Sequence, residues 1–215
     1  MTKKTETDTE NRSSKTDKSN VVIFSGSFNP IHLGHLSIAG SIAAHVKIDE
    51  LWFVVSPHNP FKSPVELADF QHRLNMVKTA CAELNLPVTV SDVENALPQP
   101  SYTVNTLAAL SKMYPDKKWS LLIGSDNLAN FSKWKDFRTI ADNYQLLVYP
   151  RKGFENENLY LVYNAIKIDA PTIDVSSTFI RKNISDESAV KKYLPSGVYE
   201  YIRKNGLYGL YGNGY

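Results

Sequence analysis

The residue types best suited to chemistry gather in one short stretch near the N-terminus. After the apolar run Val21-Val22-Ile23-Phe24 comes Ser25-Gly26-Ser27-Phe28-Asn29-Pro30-Ile31-His32-Leu33-Gly34-His35. Gly26 allows the backbone to turn, or to approach a ligand with no Cβ in the way. If a helix starts at the end of this string, its free N–H groups and positive dipole end form an anion site. His32 and His35, three apart with Gly34 between them, can both point into that site. There they would donate to phosphate oxygens whose charge grows during a transfer. The string is neither a GxxxxGK[ST] P-loop nor a GxGxxG dinucleotide fingerprint. A zinc pair would need further ligands, and no nearby cysteine or carboxylate supplies them. Either histidine taken alone is as well explained by a structural role.

A second candidate lies late in the chain at Val175-Ser176-Ser177-Thr178-Phe179-Ile180-Arg181. Ser and Thr cap a first turn and offer hydroxyls, the dipole favours anions, and Arg181 supplies a bidentate fork. By itself this is an ordinary helix cap. Serine-nucleophile chemistry is disfavoured because no G-x-S-x-G elbow exists.

These loops need a scaffold, and the apolar pattern indicates which. Continuous β-branched and aromatic runs recur at 21–24, 51–55, 88–90, 119–123 and 145–149, as in strands covered on both faces. Helical spacing separates them: Leu36, Ala39, Ala43 and Val46, then Phe70, Leu74, Val77, Cys81 and Leu84. A third helix is expected from Ser101–Thr103 to about Met113, between Pro100 and Pro115. Repeated strand–helix alternation predicts an α/β fold, Rossmann-like and doubly wound, with a mostly parallel sheet. Past Gly153, LYLVY (159–163) and AIKI (165–168) read as short strands. A C-terminal helical part then runs from Ser177 to about Asn205. In such sheets ligands sit at the carboxyl ends of strands, so motifs just after strands are the first candidates.

Composition narrows the class further. At 215 residues and 42% hydrophobic, the chain suits one well-buried domain, expected over 21–208. A net charge of +2 gives no reason to expect a nucleic-acid partner. The single cysteine, Cys81, excludes an intramolecular disulfide, and its place on an apolar helical face predicts a core role. No run approaches the roughly 18 apolar residues of a membrane span. Residues 1–20 are polar, without the apolar segment of a signal peptide, so a disordered tail and a cytoplasmic location are expected. Residues 209–215 are expected to form a flexible C-terminal tail.

The first string resembles the GxFxPxHxGH signature of the HxGH nucleotidyltransferase superfamily, with Gly26, Phe28, Pro30, His32, Gly34 and His35 in place. The late string resembles its ISSTxIR partner, with valine at the first position. The resemblance implies ATP bound by Gly26, Ser27, Phe28, Gly34, Ser176, Ser177 and Thr178, with His32, His35 and Arg181 catalytic. It also implies in-line attack of an acceptor phosphate on the α-phosphorus, with no covalent intermediate. Mg²⁺ would be bound through ATP phosphates and not by the protein.

Middle segments are similar to those of bacterial nicotinate mononucleotide adenylyltransferases, a resemblance running from about Val21 to Tyr208. Pro100-Ser101-Tyr102-Thr103 matches PSYT, implying that Thr103 and the backbone amide of Val104 lie beside the pyridine ring. A helix N-terminus there suits the nicotinate carboxylate better than an uncharged amide. Ile123-Gly124-Ser125-Asp126 matches IGxD, implying that Gly124 and Asp126 approach the nucleotide sugar. In Phe131-Ser132-Lys133-Trp134-Lys135, Trp134 corresponds to the tryptophan that stacks on the ring; Lys135 stands where tyrosine is common, and the resemblance implies that its backbone N–H meets the acceptor carboxylate. Asn59-Pro60-Phe61-Lys62 departs from the family's PPHK or PPHR by losing the histidine while keeping a cation; Lys62 reads as a phosphate contact or as a surface lysine, and nearby His58 as a substitute imidazole or as no part of the site. Arg151 would flank adenine. The expected substrates are thus ATP and nicotinate mononucleotide, giving deamido-NAD and pyrophosphate, and a homo-oligomer is compatible with the sequence. The alternatives are another HxGH adenylyltransferase, phosphopantetheine adenylyltransferase above all, and a nucleotide-binding protein without catalysis.

Overall fold

Val21 to Phe24 are at most 4% exposed, and a strand hidden on both faces must lie inside a sheet with a layer on each side. In the computed structural model, which describes residues 17–57, 67–171 and 173–210, this run is the middle of β1 (Ser19–Gly26). β2 (Glu50–Val55), β3 (Val88–Ser91), β4 (Lys117–Gly124), β5 (Gln145–Tyr149) and β6 (Ile166–Lys167) complete one sheet in the order β3-β2-β1-β4-β5-β6. Every pairing is parallel, so the sheet expected to be mostly parallel is wholly so. β1 begins two residues before Val21, so Ser19 and Asn20 belong to the sheet and not to the tail.

Alternation along β1 divides the core. Val22 and Phe24 face one layer, with Leu36 and Ala39 of α1 (Leu33–Ser41) and Met76, Val77 and Ala80 of α2 (Phe70–Cys81). Val21 and Ile23 face the other, with Leu107 and Leu110 of α3 (Thr103–Met113), Leu128 of α4 (Ser125–Ala129) and Ile140 of α5 (Phe137–Asn143). Strand order reverses between β1 and β4, and a crevice opens above their carboxyl ends. Cys81 sits in the first core, where burial pushes its thiol up to about 12, as expected of an inert cysteine.

One expectation fails. LYLVY is not a strand but most of α6 (Glu157–Val162), started by the Asn156 side chain accepting from the Asn158 N–H at 3.1 Å. Leu159, Tyr160 and Tyr163 lie against the core, while Leu161 and Val162 are 82% and 69% exposed. That spacing is helical; alternation would have put Leu161 with Leu159 and Tyr163 on one face. AIKI does supply β6 at the sheet edge. The C-terminal helices are α7 (Ser177–Lys182), α8 (Glu187–Val190) and α9 (Ser196–Lys204). Among the described residues, no helix is long and apolar enough to cross a membrane.

Candidate active site

β1 ends at Gly26, where a Cβ would come within 3.1 Å of the Phe28 ring. Phe28 itself adopts φ +44°, a left-handed conformation that bulky residues rarely hold. Burial of its ring against Phe24 (5.6 Å) and Phe53 (5.5 Å) secures it there. This turn throws Ser27 to Ile31 across the top of the sheet and delivers His32 to the N-cap of α1.

His32 and His35 stack with ring centroids 3.8 Å apart. A Cβ on Gly34 would sit 3.0 Å from two atoms of the His32 ring and 3.4 Å from Val175, so glycine makes the room for this stack. The His32 backbone N–H donates to His35 Nδ1 at 3.2 Å. A neutral His35 ring that accepts at Nδ1 carries its proton on Nε2, which makes Nε2 the donor. His32 is 4% exposed, and its Nδ1 is buried without a hydrogen-bond partner among the described residues. Burial, with Arg151 adding to it, lowers His32 to about 4, so the ring is neutral near pH 7.

The second motif stands directly across. Ser176 caps α7, its hydroxyl accepting from the Phe179 N–H at 3.1 Å. Ser177 donates to the Pro30 carbonyl at 2.9 Å, and Arg181 donates to the Asn29 carbonyl at 3.0 Å. His32, His35, Arg151, Ser176, Ser177, Thr178 and Arg181 together line a cleft of about 350 Å³, rich in hydroxyl and cationic groups. Chain positions some 150 residues apart thus form one polar, phosphate-sized recess.

A less polar pocket of about 150 Å³ opens on the other side of Gly26. Thr103 at the start of α3, Gly124, Trp134 and Lys135 line it, together with Glu94. Phe131 backs the indole of Trp134 at 5.4 Å, and the Lys135 ammonium lies 4.8 Å from the Tyr102 ring centre. Val104 turns its side chain towards the core, so only its backbone can serve the pocket. A wider cleft of about 580 Å³ joins the two recesses, shared by Gly26, Ser27, Phe28, His35, Asp126, Trp134, Arg151 and Ser177. Asp126 Oδ1 is buried there without a hydrogen-bond partner among the described residues, and a Cβ at Gly124 would collide with it. The backbone N–H of Arg151 donates to Ser125 at 2.8 Å, and its guanidinium lies 5.0 Å from the Tyr149 ring centre. Arg151 also borders a small cavity of about 30 Å³ with Gly34, Pro150 and Ile173. Lys62, His58 and the rest of Asn59–Lys62 lie outside the described residues.

Two positioning residues escape sequence reasoning. Arg73, 1% exposed, donates to the carbonyls of Ser27 (2.9 Å), Ser56 (2.6 Å), Pro57 (3.0 Å) and Ala68 (2.9 Å), tying the loop after β1 to the end of β2. Its one sequence signal is a cation on the apolar stripe of α2, three residues after Phe70. Glu94, 3% exposed, accepts from Ser25 of β1 (3.2 Å), Ser56 just after β2 (2.5 Å) and Thr106 of α3 (3.0 Å). It lies in a four-residue 3₁₀ turn, Val93–Ala96, too short for periodicity to mark it.

A doubly wound parallel sheet carries two loops that meet in one polar recess above its switch point. Residues 23–183 match the cytidylyltransferase-like family model. The chain is 43% identical over 188 residues to the probable nicotinate-nucleotide adenylyltransferase of Flavobacterium johnsoniae, covering 86% of this chain and 97% of that one. It is 40% identical to the protein of the same description from Bacteroides thetaiotaomicron, covering 90% and 95%. The chain belongs to the nicotinate-nucleotide adenylyltransferase family. In fold it is similar to Plasmodium falciparum nicotinic acid mononucleotide adenylyltransferase complexed with NaAD, with a TM-score of 0.77 at 22% identity over 90% of this chain and 98% of that one.

Proposed function

We propose that the protein transfers the adenylyl group of ATP to nicotinate mononucleotide, forming deamido-NAD and pyrophosphate in NAD biosynthesis. The observation that carries this reading is the continuous cleft from the Thr103–Trp134 pocket, past His35, to the recess at Ser176–Arg181. It suits a pyridine ring at one end and a triphosphate at the other, with the α-phosphate near His35.

The acceptor phosphate is itself a competent nucleophile, so the protein's work is positioning and charge stabilisation. An acceptor oxygen attacks the α-phosphorus in line, the bond to the bridging oxygen breaks, and pyrophosphate leaves with that electron pair. His35 Nε2–H donates to an α-phosphate oxygen, and the bond strengthens as charge accumulates. His32, Arg181 and the Ser176–Thr178 hydroxyls hold the β- and γ-phosphates. Asp126 Oδ1 accepts from a ribose hydroxyl, which would satisfy its buried acceptor. Arg151 flanks adenine. The backbone N–H groups of Thr103 and Val104 meet the nicotinate carboxylate, and Trp134 stacks on the ring.

Among the described residues, no three His, Cys, Asp or Glu side chains gather to hold a metal ion. We take the divalent cation to be Mg²⁺, carried on the triphosphate and water. When bound, it offsets the charge of the triphosphate and orients it.

Pyrophosphate release from ATP, measured with nicotinate mononucleotide, nicotinamide mononucleotide and phosphopantetheine in turn, tests the reading. Release should be fastest with the first. Release with phosphopantetheine alone would overturn the acceptor, and release with none would make this a binding protein.

A further inference from the structure

Glu94 forms part of the wall of the pocket proposed for the pyridine ring, yet no cationic side chain pairs with it among the described residues. Three hydroxyl donors surround it instead, at Ser25, Ser56 and Thr106. Hydroxyl donors suit a carboxylate acceptor but leave its charge uncompensated, and a buried charge without a counter-charge is costly. A structural tie between β1, β2 and α3 could be built from neutral groups. A carboxylate at the edge of a ligand pocket therefore points to a cation in the ligand.

We propose that Glu94 is a specificity-determining residue that supplies the counter-charge to the positively charged ring of the acceptor. This inference rests on the acceptor reading above. In nicotinate mononucleotide the glycosidic bond quaternises the ring nitrogen, so the ring is cationic while its carboxylate is anionic. The pocket has matching polarity. The start of α3 and the Lys135 ammonium contribute positive potential, the Glu94 carboxylate, held by Thr106 of α3, a negative charge, and Trp134 a face on which a cationic ring stacks well. The site thereby selects a zwitterion and not merely an aromatic acid.

The test compares nicotinate mononucleotide with its neutral isostere, 3-carboxyphenyl riboside 5′-phosphate, in which carbon replaces the ring nitrogen. kcat/KM for each is measured with the wild-type protein, Glu94→Gln, Glu94→Asp and Thr106→Val. The wild type should favour the cationic ring. Part of that preference comes from Trp134, so the informative quantity is its change on substitution. At an effective dielectric of about 20, removing one charge near the ring should cut the preference roughly tenfold or more in Glu94→Gln. Glu94→Asp, which keeps the charge, and Thr106→Val, which keeps the charge but breaks the network, should retain it. A merely structural Glu94 would instead lower both substrates equally, which overturns the proposal. So does equal use of the two nucleotides by the wild-type protein, a result that needs no variant to fold. No turnover of nicotinate mononucleotide by the wild type would overturn the acceptor reading itself, and this inference with it.

Discussion

His32 makes the unliganded protein acid-sensitive in a way that can be calculated. Burial, then the nearby Arg151, lowers its folded value to about 4, against 6.5 for the exposed ring. Between these two values the unfolded chain binds a proton here that the folded chain does not, so stability falls as pH drops. The gap corresponds to roughly 3 kcal/mol once pH is below 4, and to about 2 kcal/mol at pH 5. For a chain of this size, 2 kcal/mol is a Tm change of about 4–8 °C. Thermal unfolding of the wild type and of His32→Asn between pH 7.5 and pH 5 isolates this group, because the other titrating residues cancel in the difference. The wild type should lose about 2 kcal/mol relative to the variant over that range. A difference that stays constant with pH would mean that His32 is not buried neutral, and the reasoning fails. Saturating ATP should reduce the acid loss, since phosphate beside the ring favours its protonated form.

Gly34→Ala should lower kcat by roughly 10- to 100-fold with little change in Tm, because the added Cβ displaces the His32 ring and a sub-ångström shift is enough to spoil in-line geometry. An unchanged kcat would remove the stacked histidine pair from the mechanism. His35→Ala should reduce kcat far more than it raises the acceptor KM, since its donor bond counts most in the transition state; steady-state kinetics separate the two. Trp134→Ala should do the reverse, raising the acceptor KM about tenfold or more for the loss of stacking worth about 1–3 kcal/mol. Arg73→Met strips donors from carbonyls in the buried loop junction and should cost about 3–5 kcal/mol, lowering Tm by roughly 10 °C or more in a thermal melt.

The sheet was legible because a doubly covered strand must be continuously apolar, and each of the runs at 21–24, 51–55, 88–90, 119–123 and 145–149 is a strand. LYLVY misled because Leu, Tyr and Val suit either element. Its Asn156 cap and the Leu159, Tyr160 and Tyr163 face were the deciding cues. At the candidate site, His32, His35, Ser176–Arg181, Thr103, Gly124 and Trp134 were legible because their chemistry sits in short contiguous strings. Arg73 and Glu94 were not. Each acts by joining segments remote in sequence, Arg73 reaching back 46 residues to Ser27 and Glu94 reaching 69 to Ser25. No local pattern records a partner that only folding brings near.

The same long-range bonding changes how the second motif should be understood. Ser177 and Arg181 do more than line the polar recess, since they also hold the Pro30 and Asn29 carbonyls of the histidine loop. Arg73 holds the Ser27 carbonyl, and the Asn29 side chain accepts from the Ala68 N–H at 3.0 Å and the Tyr208 hydroxyl at 2.9 Å. The segment that carries Phe28 at positive φ is thus gripped from α2, α7 and the C-terminal end of the chain. Such over-determination is what keeps a strained turn in place. A substitution at Ser177 therefore shifts His32 and His35 as well as any phosphate contact, and its effect should not add simply to that of His35→Ala. The two strings are mechanically a single site, and the loss of either string's contacts is felt by both.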